Sequence, residues 1–410
     1  MLRSNHTFQA VEATLSKPAI TLSTERKILI THVINGLYTG GAEMMLYKLL
    51  SEMNRERFEA RVITLIGGDS LRTKVEKLGI EVHSLGMTRS YPSLTAIIRL
   101  AKLLRQRPPD IVQTWMYHSD LMGGLVAKLL TNAPIVWNLQ ASNIVSHPDN
   151  RTTLLTIKLC SLLSSRIPTR IISCSEVACQ LHADAGYDSK KLLPIPNGVE
   201  LIGFQPDEMA RVSFRKELGL TPSTPLIGIV ARFHPQKDHA NFIQAAALLH
   251  QAIPEVHFVL CGEDIVEGNQ QLSDWITKAG IKSRCHLLGR REDTPKINAA
   301  VDVATLSSAF GEGFPNVLGE AMACGVPCVT TDVGDSSLIV GETGIVVPPR
   351  DPAALANGWM TLLKMNREER KRLGMAARQR VEEKFSLPSI VARYEKLYGD
   401  LVGLSSNGAK

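Results

Sequence analysis

The sequence predicts an α/β protein built from two Rossmann-like domains. Its 410 residues suit two domains, because a single domain commonly has about 100–200 residues. From Lys27 onward, short runs rich in β-branched residues alternate with longer amphipathic stretches, as in parallel sheets whose strands are buried on both faces. A content of 44% hydrophobic and 21% charged residues indicates folded domains rather than a disordered chain.

The strand candidates fall into two groups. In the first group they read KILITHVI, ARVITLI, IEVHSL, DIVQTW, PIVWNL and TRIISCS. In the second group they read PLIGIVAR, HFVLCGE, CHLLGR, VDVATLSS, PCVTTD and GIVVPP. The segment PIPNGVELIGFQP at 194–206 separates the two groups, and its three prolines and two glycines are typical of a linker.

These boundaries predict four parts of the chain. Residues 1–25 mix polar and apolar positions without the apolar core of a signal peptide, so we expect a flexible extension there. The first Rossmann-like domain should span 26–198 and the second 199–385. The last part, 386–410, contains an amphipathic helix over about 387–403 that needs a surface to pack against.

Charge and composition exclude several classes of protein. The net charge of +6 resides in the first half, where residues 1–200 carry 23 Lys and Arg against 16 Asp and Glu, while residues 201–410 carry 23 against 24. The basic residues are not interleaved with aromatic ones, which argues against nucleic-acid binding. Seven cysteines without paired spacing favour a reducing, cytoplasmic location over a disulfide or zinc framework. No apolar run approaches the about 20 residues of a membrane-spanning helix.

The first strand leads into a loop with two adjacent glycines, from Asn35 to Glu43. Gly40 and Gly41 would let the backbone approach a ligand closely, and the helix N-terminus behind them would attract an anion. A plain tight turn is the alternative. The loop matches neither G-x-x-x-x-G-K-S/T nor G-x-G-x-x-G, so neither a P-loop nor a nicotinamide site is predicted.

A second cluster, ARFHPQKD, ends the first strand of the second group. Arg232 stands at the strand end, and Lys237 stands at the start of the next helix. Both cations can point into one cleft and clamp a diphosphate, Arg232 with two parallel hydrogen bonds and Lys237 as a point charge. The alternative is a solvated turn, and a buried strand that ends on arginine weighs against it.

The third cluster, FGEGFPNVLGE, places two carboxylates around a helix start. Glu312 lies in a glycine-rich loop, Pro315 suits the first helical turn, and Glu320 follows one to two turns later. A carboxylate can accept hydrogen bonds from adjacent sugar hydroxyls, while the helix N-terminus favours a diphosphate. The alternative is a surface helix with two solvated acids.

In combination, these motifs resemble the retaining family 4 glycosyltransferases of the GT-B fold. The resemblance rests on EGFPNVLGE, the following AMACGVPCVTTDVG and GIVVPPRDP, PNGV at 196–199 and LGRRED at 288–293, and it runs over about residues 27–385. It implies two Rossmann-like domains that face each other across a cleft, with the acceptor domain first and the nucleotide-sugar domain second. It also implies that the C-terminal helix crosses back onto the first domain.

The same resemblance assigns roles to individual residues. Arg232 and Lys237 would hold the donor diphosphate. Glu312 would contact the hydroxyls of the donor sugar, and Glu320 those of the ribose. The other donor-binding positions that it implies are the Gly313 and Phe314 backbone beside the sugar, the Val317 and Leu318 amides at the phosphates, Leu288 to Arg290 at the base, and Gly40 and Gly41 at the diphosphate.

One position departs from the family pattern. Many relatives carry a histidine at the end of the fourth strand, and here Trp115 stands where that histidine would most naturally align. His118 is the substitute candidate for this catalytic position, and the alternative is a histidine that packs at a helix start. Asp120 could orient His118 or cap the helix.

The resemblance further implies the reaction. A hexose or N-acetylhexosamine would pass with retained configuration from a nucleotide diphosphate sugar, a UDP-sugar above all, to a lipid-linked or polysaccharide acceptor in cell-surface glycan synthesis. The chain has no Asp-x-Asp, so neither a metal nor another cofactor is demanded. The alternatives are a GT-B-fold nucleotide-sugar epimerase, which would use no acceptor, and a binding protein that has kept the fold.

The acceptor side carries a possible membrane signal. Residues 94–107 form an amphipathic stretch whose apolar side includes Ile98 and Leu104, and 151–170 is a second stretch of basic and apolar residues. Such helices could make peripheral contact with anionic lipid heads on the inner face of the membrane. The alternative is an ordinary Rossmann helix whose basic face is solvated.

Overall fold

A computed structural model describes residues 26–38, 40–67, 70–87, 93–140 and 151–407, with side chains described as far as Gly403. The extension expected over 1–25 lies outside these residues. The described chain forms two parallel sheets, each covered by helices on both faces, and the prediction of an α/β fold is confirmed. The first sheet with its helices is called the first unit below, and the second sheet with its helices the second unit.

The first sheet has seven parallel strands. They are β1 (Ile28–Ile34), β2 (Phe58–Ile66), β3 (Glu81–Met87), β4 (Ile111–Trp115), β5 (Ile135–Leu139), β6 (Arg170–Ser173) and β7 (Leu192–Pro194). Their order in the sheet is β3-β2-β1-β4-β5-β6-β7. The first six coincide with predicted runs. The sequence pattern misses the edge strand β7, because three residues that end on proline are too short to display a strand period.

The second sheet has six parallel strands, and all of them coincide with predicted runs. They are β8 (Leu226–Val230), β9 (His257–Cys261), β10 (Cys285–Leu287), β11 (Val303–Leu306), β12 (Cys328–Thr331) and β13 (Ile345–Val347). Their order is β10-β9-β8-β11-β12-β13. The chain reverses its direction of travel across the sheet between β8 and β11, as it does between β1 and β4 in the first sheet. Loops that follow the strands at such a switch point line the ligand crevices of α/β proteins.

Helices fill the connections between the strands. In the first unit they are α1 (Gly41–Glu52), α2 (Arg72–Lys77), α3 (Leu94–Gln106), α4 (Tyr117–Leu130), α5 (Arg151–Leu163) and α6 (Glu176–Asp184). The later helices are α7 (Glu208–Glu217), α8 (His239–Ala252), α9 (Gln270–Lys278), α10 (Thr294–Ala300), α11 (Asn316–Ala323), α12 (Ser336–Val340), α13 (Pro352–Lys364), α14 (Arg367–Lys384) and α15 (Leu387–Asn407). Among the described residues, no helix has both the length and the apolar character that crossing a bilayer requires.

Two helical layers bury the first sheet. Helices α3, α4 and α5 cover one face, where Leu100, Val126 and Ile157 are buried against the strands. Helices α1 and α15 cover the other face, where Leu46 and Ile390 are buried. Because both faces are covered, the strands of this sheet read as nearly continuous apolar runs.

The C-terminal helix α15 belongs to the core of the first unit, although it follows the second unit in the sequence. Tyr394 and Tyr398 are fully buried in that core. The Tyr398 hydroxyl donates to the side-chain oxygen of Gln113 at 2.5 Å, and the side-chain amide of Asn138 donates to the Tyr394 hydroxyl at 3.1 Å. These bonds are shielded from water, so they fix the position of α15 against β4 and β5.

Candidate active site

The carboxyl edges of the two sheets face each other, as a direct contact between residues from the two edges shows. Asp335 follows β12, and its carboxylate accepts from the backbone N–H groups of Glu176 and Val177 at the start of α6, at 2.8 and 3.0 Å. The Lys48 ammonium on α1 donates to the Gly198 carbonyl in the segment between the units at 3.3 Å. The loops that follow the strands of both sheets therefore share one cleft.

Lys237 and Glu312, predicted from separate clusters, contact each other. The Lys237 ammonium lies 2.5 Å from a carboxylate oxygen of Glu312, and the Ser308 hydroxyl donates to the same oxygen at 2.6 Å. Glu312 is only 8% exposed, so this pair is less screened by water than a surface ion pair. An ammonium group has three N–H donors, so Lys237 can bind Glu312 and an anionic ligand at the same time.

Side-chain contacts to the backbone tie together the two loops that carry this pair. The short 3-10 helix Pro235–Lys237 connects β8 to α8. The Ser307 hydroxyl donates to the Lys237 carbonyl at 2.7 Å, and the side-chain amide of Gln236 donates to the Gly311 carbonyl at 2.9 Å. The relative positions of the Lys237 and Glu312 loops are therefore fixed from both sides.

Arg232 is exposed just beyond the end of β8, at the same edge of the sheet. The Phe233 N–H next to it donates to the Glu263 carbonyl at 2.8 Å, which links the ends of β8 and β9. Gly262 has a φ of +156°, and a Cβ there would clash with the Ala231 carbonyl oxygen. Only glycine allows this close approach of the two strand ends. The exposed guanidinium can bind a phosphate group with two parallel hydrogen bonds.

Helix α11 begins directly after the loop that carries Glu312. Pro315 is its N-cap, just before the first turn in which the sequence predicts it, and provides no side-chain hydrogen bond to that turn. The Leu318 N–H donates to the Pro315 carbonyl at 3.1 Å, and Gly313 and Phe314 form the approach to the helix. The start of α11 therefore presents the positive end of the helix dipole without a side-chain cap. Val317 lies in this first turn.

Glu320 lies on α11, close to the segment between the units. At the preceding Gly319, a Cβ would lie 2.5 Å from a Val199 methyl group, so the helix and this segment are in close contact. Burial raises the pKa of the Glu320 carboxyl, and the positive charge of Lys48 on α1 opposes that shift. Glu320 thus lies between the two units, as a group that binds a ligand in the cleft would.

Gly40 and Gly41 lie at the N-terminus of α1. Gly40 is the N-cap, in an extended conformation and without a side-chain hydrogen bond. The Glu43 carboxylate folds over this end of the helix, and a Cβ at Gly40 would clash with it, whereas a Cβ at Gly41 would contact nothing within 4 Å. Partial burial raises the pKa of Glu43. The clash at Gly40 is with the end of a flexible side chain, which can move, so packing alone requires neither glycine.

Trp115 belongs to the core of the first unit and His118 does not. Trp115 is fully buried, and its indole N–H donates to Nδ1 of His32 at 3.2 Å. His118 is exposed in the first turn of α4, and desolvation lowers its pKa. Met116 has φ 71° and ψ 154°, a conformation that is costly for a residue with a side chain. This turn separates the buried Trp115 from the exposed His118.

One interpretation of the sequence is that Asp120 orients His118, and the structure contradicts it. The Asp120 carboxylate is fully buried and accepts from the Thr114 hydroxyl at 2.5 Å. Burial raises the pKa of Asp120 well above its usual range. Nor does it cap α4, because the N-cap position is Met116. Asp120 is therefore a residue of the interior.

Leu288 and Arg290 follow β10, beside the Arg232 loop. The Leu288 N–H donates to the Leu260 carbonyl at 3.0 Å, and the Gly289 carbonyl accepts from the Gly262 N–H at 2.9 Å. Gly262 also contacts the backbone before Arg232, so the two loops are neighbours. Arg290 is exposed at this edge.

Several residues that hold the predicted ones in place are not among the sequence predictions. Ser307 and Ser308 support Lys237 and Glu312, and they could have been found as polar residues directly after a buried strand. Lys48 contacts the segment between the units and Asp335 contacts the first unit, and their hydrogen-bond partners are 150 or more positions away in the sequence. A pairing over that distance leaves no local pattern.

Together these residues form a cleft suited to a ligand with both anionic groups and hydroxyls. Arg232, Lys237 and the start of α11 can meet a diphosphate. Glu312 and Glu320 can accept hydrogen bonds from hydroxyl groups. Within the described part of the chain, no three His, Cys, Asp or Glu side chains form a group that could hold a metal ion.

Two family descriptions match this chain. The family described as "Glycosyl transferases group 1" matches residues 211–380, and the family described as "Glycosyltransferase Family 4" matches residues 39–201. The match over residues 211–380 falls on the second unit, and the match over residues 39–201 falls on the first unit. Together they cover most of the chain.

Relatives and solved structures agree with these matches. The UDP-Gal:alpha-D-GlcNAc-diphosphoundecaprenol alpha-1,3-galactosyltransferase of Escherichia coli is 26% identical over 390 residues, which are 93% of this chain and 99% of the relative. The crystal structure of Anabaena HepE in complex with UDP has a TM-score of 0.80 and 22% identity, and the match covers 91% of this chain and 100% of HepE. Its complex with UDP-glucose has a TM-score of 0.77 at 21% identity, with the same coverage. The chain is thus a glycosyltransferase of the GT-B fold and belongs to the family 4 type.

Proposed function

We propose that this protein is a retaining glycosyltransferase that moves a hexose or N-acetylhexosamine from a UDP-sugar to a lipid-linked or polysaccharide acceptor. The observation that carries the proposal is the contact between Lys237 and Glu312, 2.5 Å apart at the edge of the second sheet. The contact places a cation beside an acceptor of hydroxyl hydrogen bonds. A nucleotide sugar carries its diphosphate and its sugar hydroxyls at just such neighbouring positions.

Several residues around this pair suit the rest of a nucleotide sugar. Arg232 and the first turn of α11, with Val317 and Leu318, would hold the diphosphate from the second unit. Gly40 and Gly41 would meet it from the first unit. Glu320 would bind the ribose hydroxyls. The choice of uridine is supported by the UDP-Gal in the name of the Escherichia coli relative and by the UDP-glucose bound to HepE.

Retention follows when both bonding changes occur on one face of the sugar. The acceptor oxygen forms its bond to the anomeric carbon on the face from which the diphosphate leaves. The bond between that carbon and the diphosphate oxygen breaks, and its electron pair departs with the diphosphate. The proton of the acceptor hydroxyl passes to the departing phosphate oxygen.

The charge that develops on the leaving diphosphate would be stabilised by Arg232, Lys237 and the start of α11. Fixed charges aimed at a developing charge are usually the largest catalytic contribution in such sites. Glu312 would hold the sugar in position, beside the Gly313 and Phe314 backbone. His118 would approach the reacting sugar from the first unit, which Trp115 cannot do because it is buried.

We also propose that the first unit rests on the cytoplasmic face of the membrane through the outer surface of α3, α4 and α5. These helices expose large apolar side chains, namely Leu94, Ile98, Leu125, Leu129, Leu154, Leu155, Leu159 and Leu162. The sequence groups Ile98 with Leu104 on the apolar side of α3, but Ile98 is 58% exposed, because Ala96, Leu100 and Leu104 form the buried face. The apolar surface is therefore broader than the sequence predicts.

The charges on this surface suit anionic lipid heads. The Lys and Arg residues of the three helices are Arg99, Lys102, Arg105, Lys128, Arg151 and Lys158, and their acidic residue, Asp120, is fully buried. Apolar side chains framed by basic ones favour the interface of an anionic bilayer. Such contact would bring the cleft to an acceptor that is anchored in the same bilayer.

The direct test is transfer by the purified protein from UDP-glucose, UDP-galactose and their N-acetylamino forms to a polyprenyl-diphosphate-linked sugar. We expect an α-linked product from the α-linked donor, read by NMR of the anomeric proton, and no loss of rate in the presence of EDTA. A β-linked product would contradict retention. Conversion of the donor into its epimer without any acceptor would contradict the transferase and support the epimerase.

A further inference from the structure

Asp335 connects the two units through its side chain. It follows β12, and its two carboxylate oxygens accept from the first two backbone N–H groups of α6, those of Glu176 and Val177. The first N–H groups of a helix have no acceptor within the helix, so this carboxylate satisfies two of them. Asp335 is 2% exposed, which shields both bonds from water.

The backbone of the same residue connects to the loop that carries Glu312. The Asp335 N–H donates to the Gly313 carbonyl at 2.9 Å. Gly334, with φ +61°, lies so close to this loop that a Cβ would clash with the Glu312 carbonyl oxygen. One residue therefore holds the Glu312 and Gly313 loop of the second unit with its backbone and α6 of the first unit with its side chain.

Helix α6 has another cap, which lies wholly within the first unit. The Ser175 hydroxyl accepts from the Ala178 N–H at 2.9 Å. Removing the Ser175 hydroxyl would weaken the helix end and leave the contact between the units intact. Removing the Asp335 carboxylate would weaken the helix end and also break the contact between the units. The two positions therefore separate a structural role from a role in joining the units.

We propose that Asp335 is a positioning residue that couples the approach of the two units to the placement of the Gly313 loop. When its carboxylate binds α6, the acceptor side and the loop beside the donor sugar are held at one separation. The contact is charge-assisted and dry, and the burial of a carboxylate is costly unless its hydrogen bonds form. The proposal rests on the proposed function, because it assigns the Gly313 loop to the donor sugar.

The test compares Asp335→Ala and Asp335→Asn with two matched controls. Asp332→Asn removes an exposed charge from the same loop, and Ser175→Ala removes the cap within the first unit. For Asp335→Ala we expect kcat to fall by roughly 10- to 100-fold, because reacting groups that are misplaced by about 1 Å lose rate on that scale. KM for the donor should change little, since Arg232 and Lys237 are untouched. The kcat of Asp335→Asn should lie between those of the wild type and of Asp335→Ala, because the amide oxygen can still accept a hydrogen bond from one of the two N–H groups.

Small-angle X-ray scattering supplies a readout that does not need turnover. The radius of gyration of Asp335→Ala should exceed that of the wild type, while both controls should match the wild type. Wild-type scattering and kcat in Asp335→Ala would overturn the proposal, as would an equal loss of kcat in Ser175→Ala. A wild type that transfers no sugar would contradict the proposed function instead, and the scattering comparison would still decide the role of Asp335.

Discussion

At the scale of single residues, Lys237 has two partners in the proposed reaction, the Glu312 carboxylate and the diphosphate. For Lys237→Ala we expect kcat/KM to fall by about 100- to 1000-fold, the usual cost of losing one fixed group that stabilises developing charge. Steady-state kinetics with the preferred UDP-sugar would measure it. Lys278→Ala, at an exposed position of the same unit, is the matched control. Normal donor affinity and turnover in Lys237→Ala would make the site assignment wrong.

His118 and Trp115 offer a contrast within four positions of the chain. For His118→Ala we expect a lower kcat and an unchanged free energy of unfolding, because the side chain is exposed. For Trp115→Phe we expect the reverse, with a loss of about 1–3 kcal/mol in that free energy, because Nδ1 of buried His32 loses its donor. Urea denaturation and steady-state kinetics on both variants separate the two roles. A Trp115→Phe variant with an unchanged free energy of unfolding and a lower kcat would instead indicate that Trp115 has the catalytic role.

At the scale of elements, α3, α4 and α5 form a layer with one face in the core and one face in the solvent. For the double variant Leu155→Ser and Leu162→Ser we expect much weaker binding to anionic vesicles, measured by co-sedimentation. Both leucines are exposed, at 59% and 65%, so the substitution should not affect folding. Ile202→Ser is the matched control, because Ile202 is 86% exposed and lies outside these helices.

Salt and lipid charge probe the basic part of the same surface. Binding should decrease at high salt and on neutral vesicles, because exposed charges are screened within about 10 Å at 0.1 M ionic strength. Binding that ignores both would argue against contact with anionic lipids. Equal binding by the wild type and the double variant would argue against the leucine surface.

At the scale of the whole molecule, sequence patterns predict what depends on neighbours in the chain. Twelve of the thirteen strands in the described segments are recognisable, because parallel strands buried on both faces are continuous apolar runs. The exception is β7, which has three residues. Gly40, Arg232 and Glu312 stand after strands, where the fold places its ligands.

Contacts between distant parts of the chain could not be predicted in the same way. The bond from Lys237 to Glu312 joins residues 75 positions apart, and that from Asp335 to α6 spans 159 positions. Each contact depends on how the loops and units pack. Lysine, glutamate and aspartate are also common on solvated surfaces, so the residue types alone do not predict these contacts. The burial of Trp115 is of the same kind, because the strand pattern does not distinguish a strand end in the cleft from one in the core.

The stability of the whole molecule should decrease in acid. Burial lowers the pKa of His32 to about 3, and of His182 and His239 to about 4. An unfolded histidine has a pKa of about 6.5, so below that value the unfolded chain binds protons that the folded chain does not. The free energy of unfolding should be highest above about pH 6.5 and fall as the pH drops towards 4. Burial also raises the pKa of four described carboxyl groups, which opposes this trend; they are Glu43, Asp120, Glu320 and Asp335. The histidines with a lowered pKa outnumber them, because His118, His234, His257 and His286 join the three named above.

Urea midpoints at several pH values between about 7.5 and about 4.5 would measure the decrease, whose slope below about pH 6 approaches about 1.4 kcal/mol per pH unit for each such histidine. His32→Asn should reduce the slope, because asparagine does not titrate and its oxygen can still accept from Trp115. A midpoint that stays constant or rises as the pH falls would contradict the expectation.

The position of α15 has a consequence for the order in which the protein is made. The core of the first unit contains Ile390, Tyr394 and Tyr398, which the ribosome adds after the entire second unit. At about 5–20 residues per second, the nearly 200 residues between the last strand of the first sheet and α15 take roughly 10–40 s. Until then, Leu46 and its neighbours on that face of the sheet lack their cover, and the core of the first unit is incomplete. Of the two units, the one that is synthesised earlier is therefore the one that is completed later.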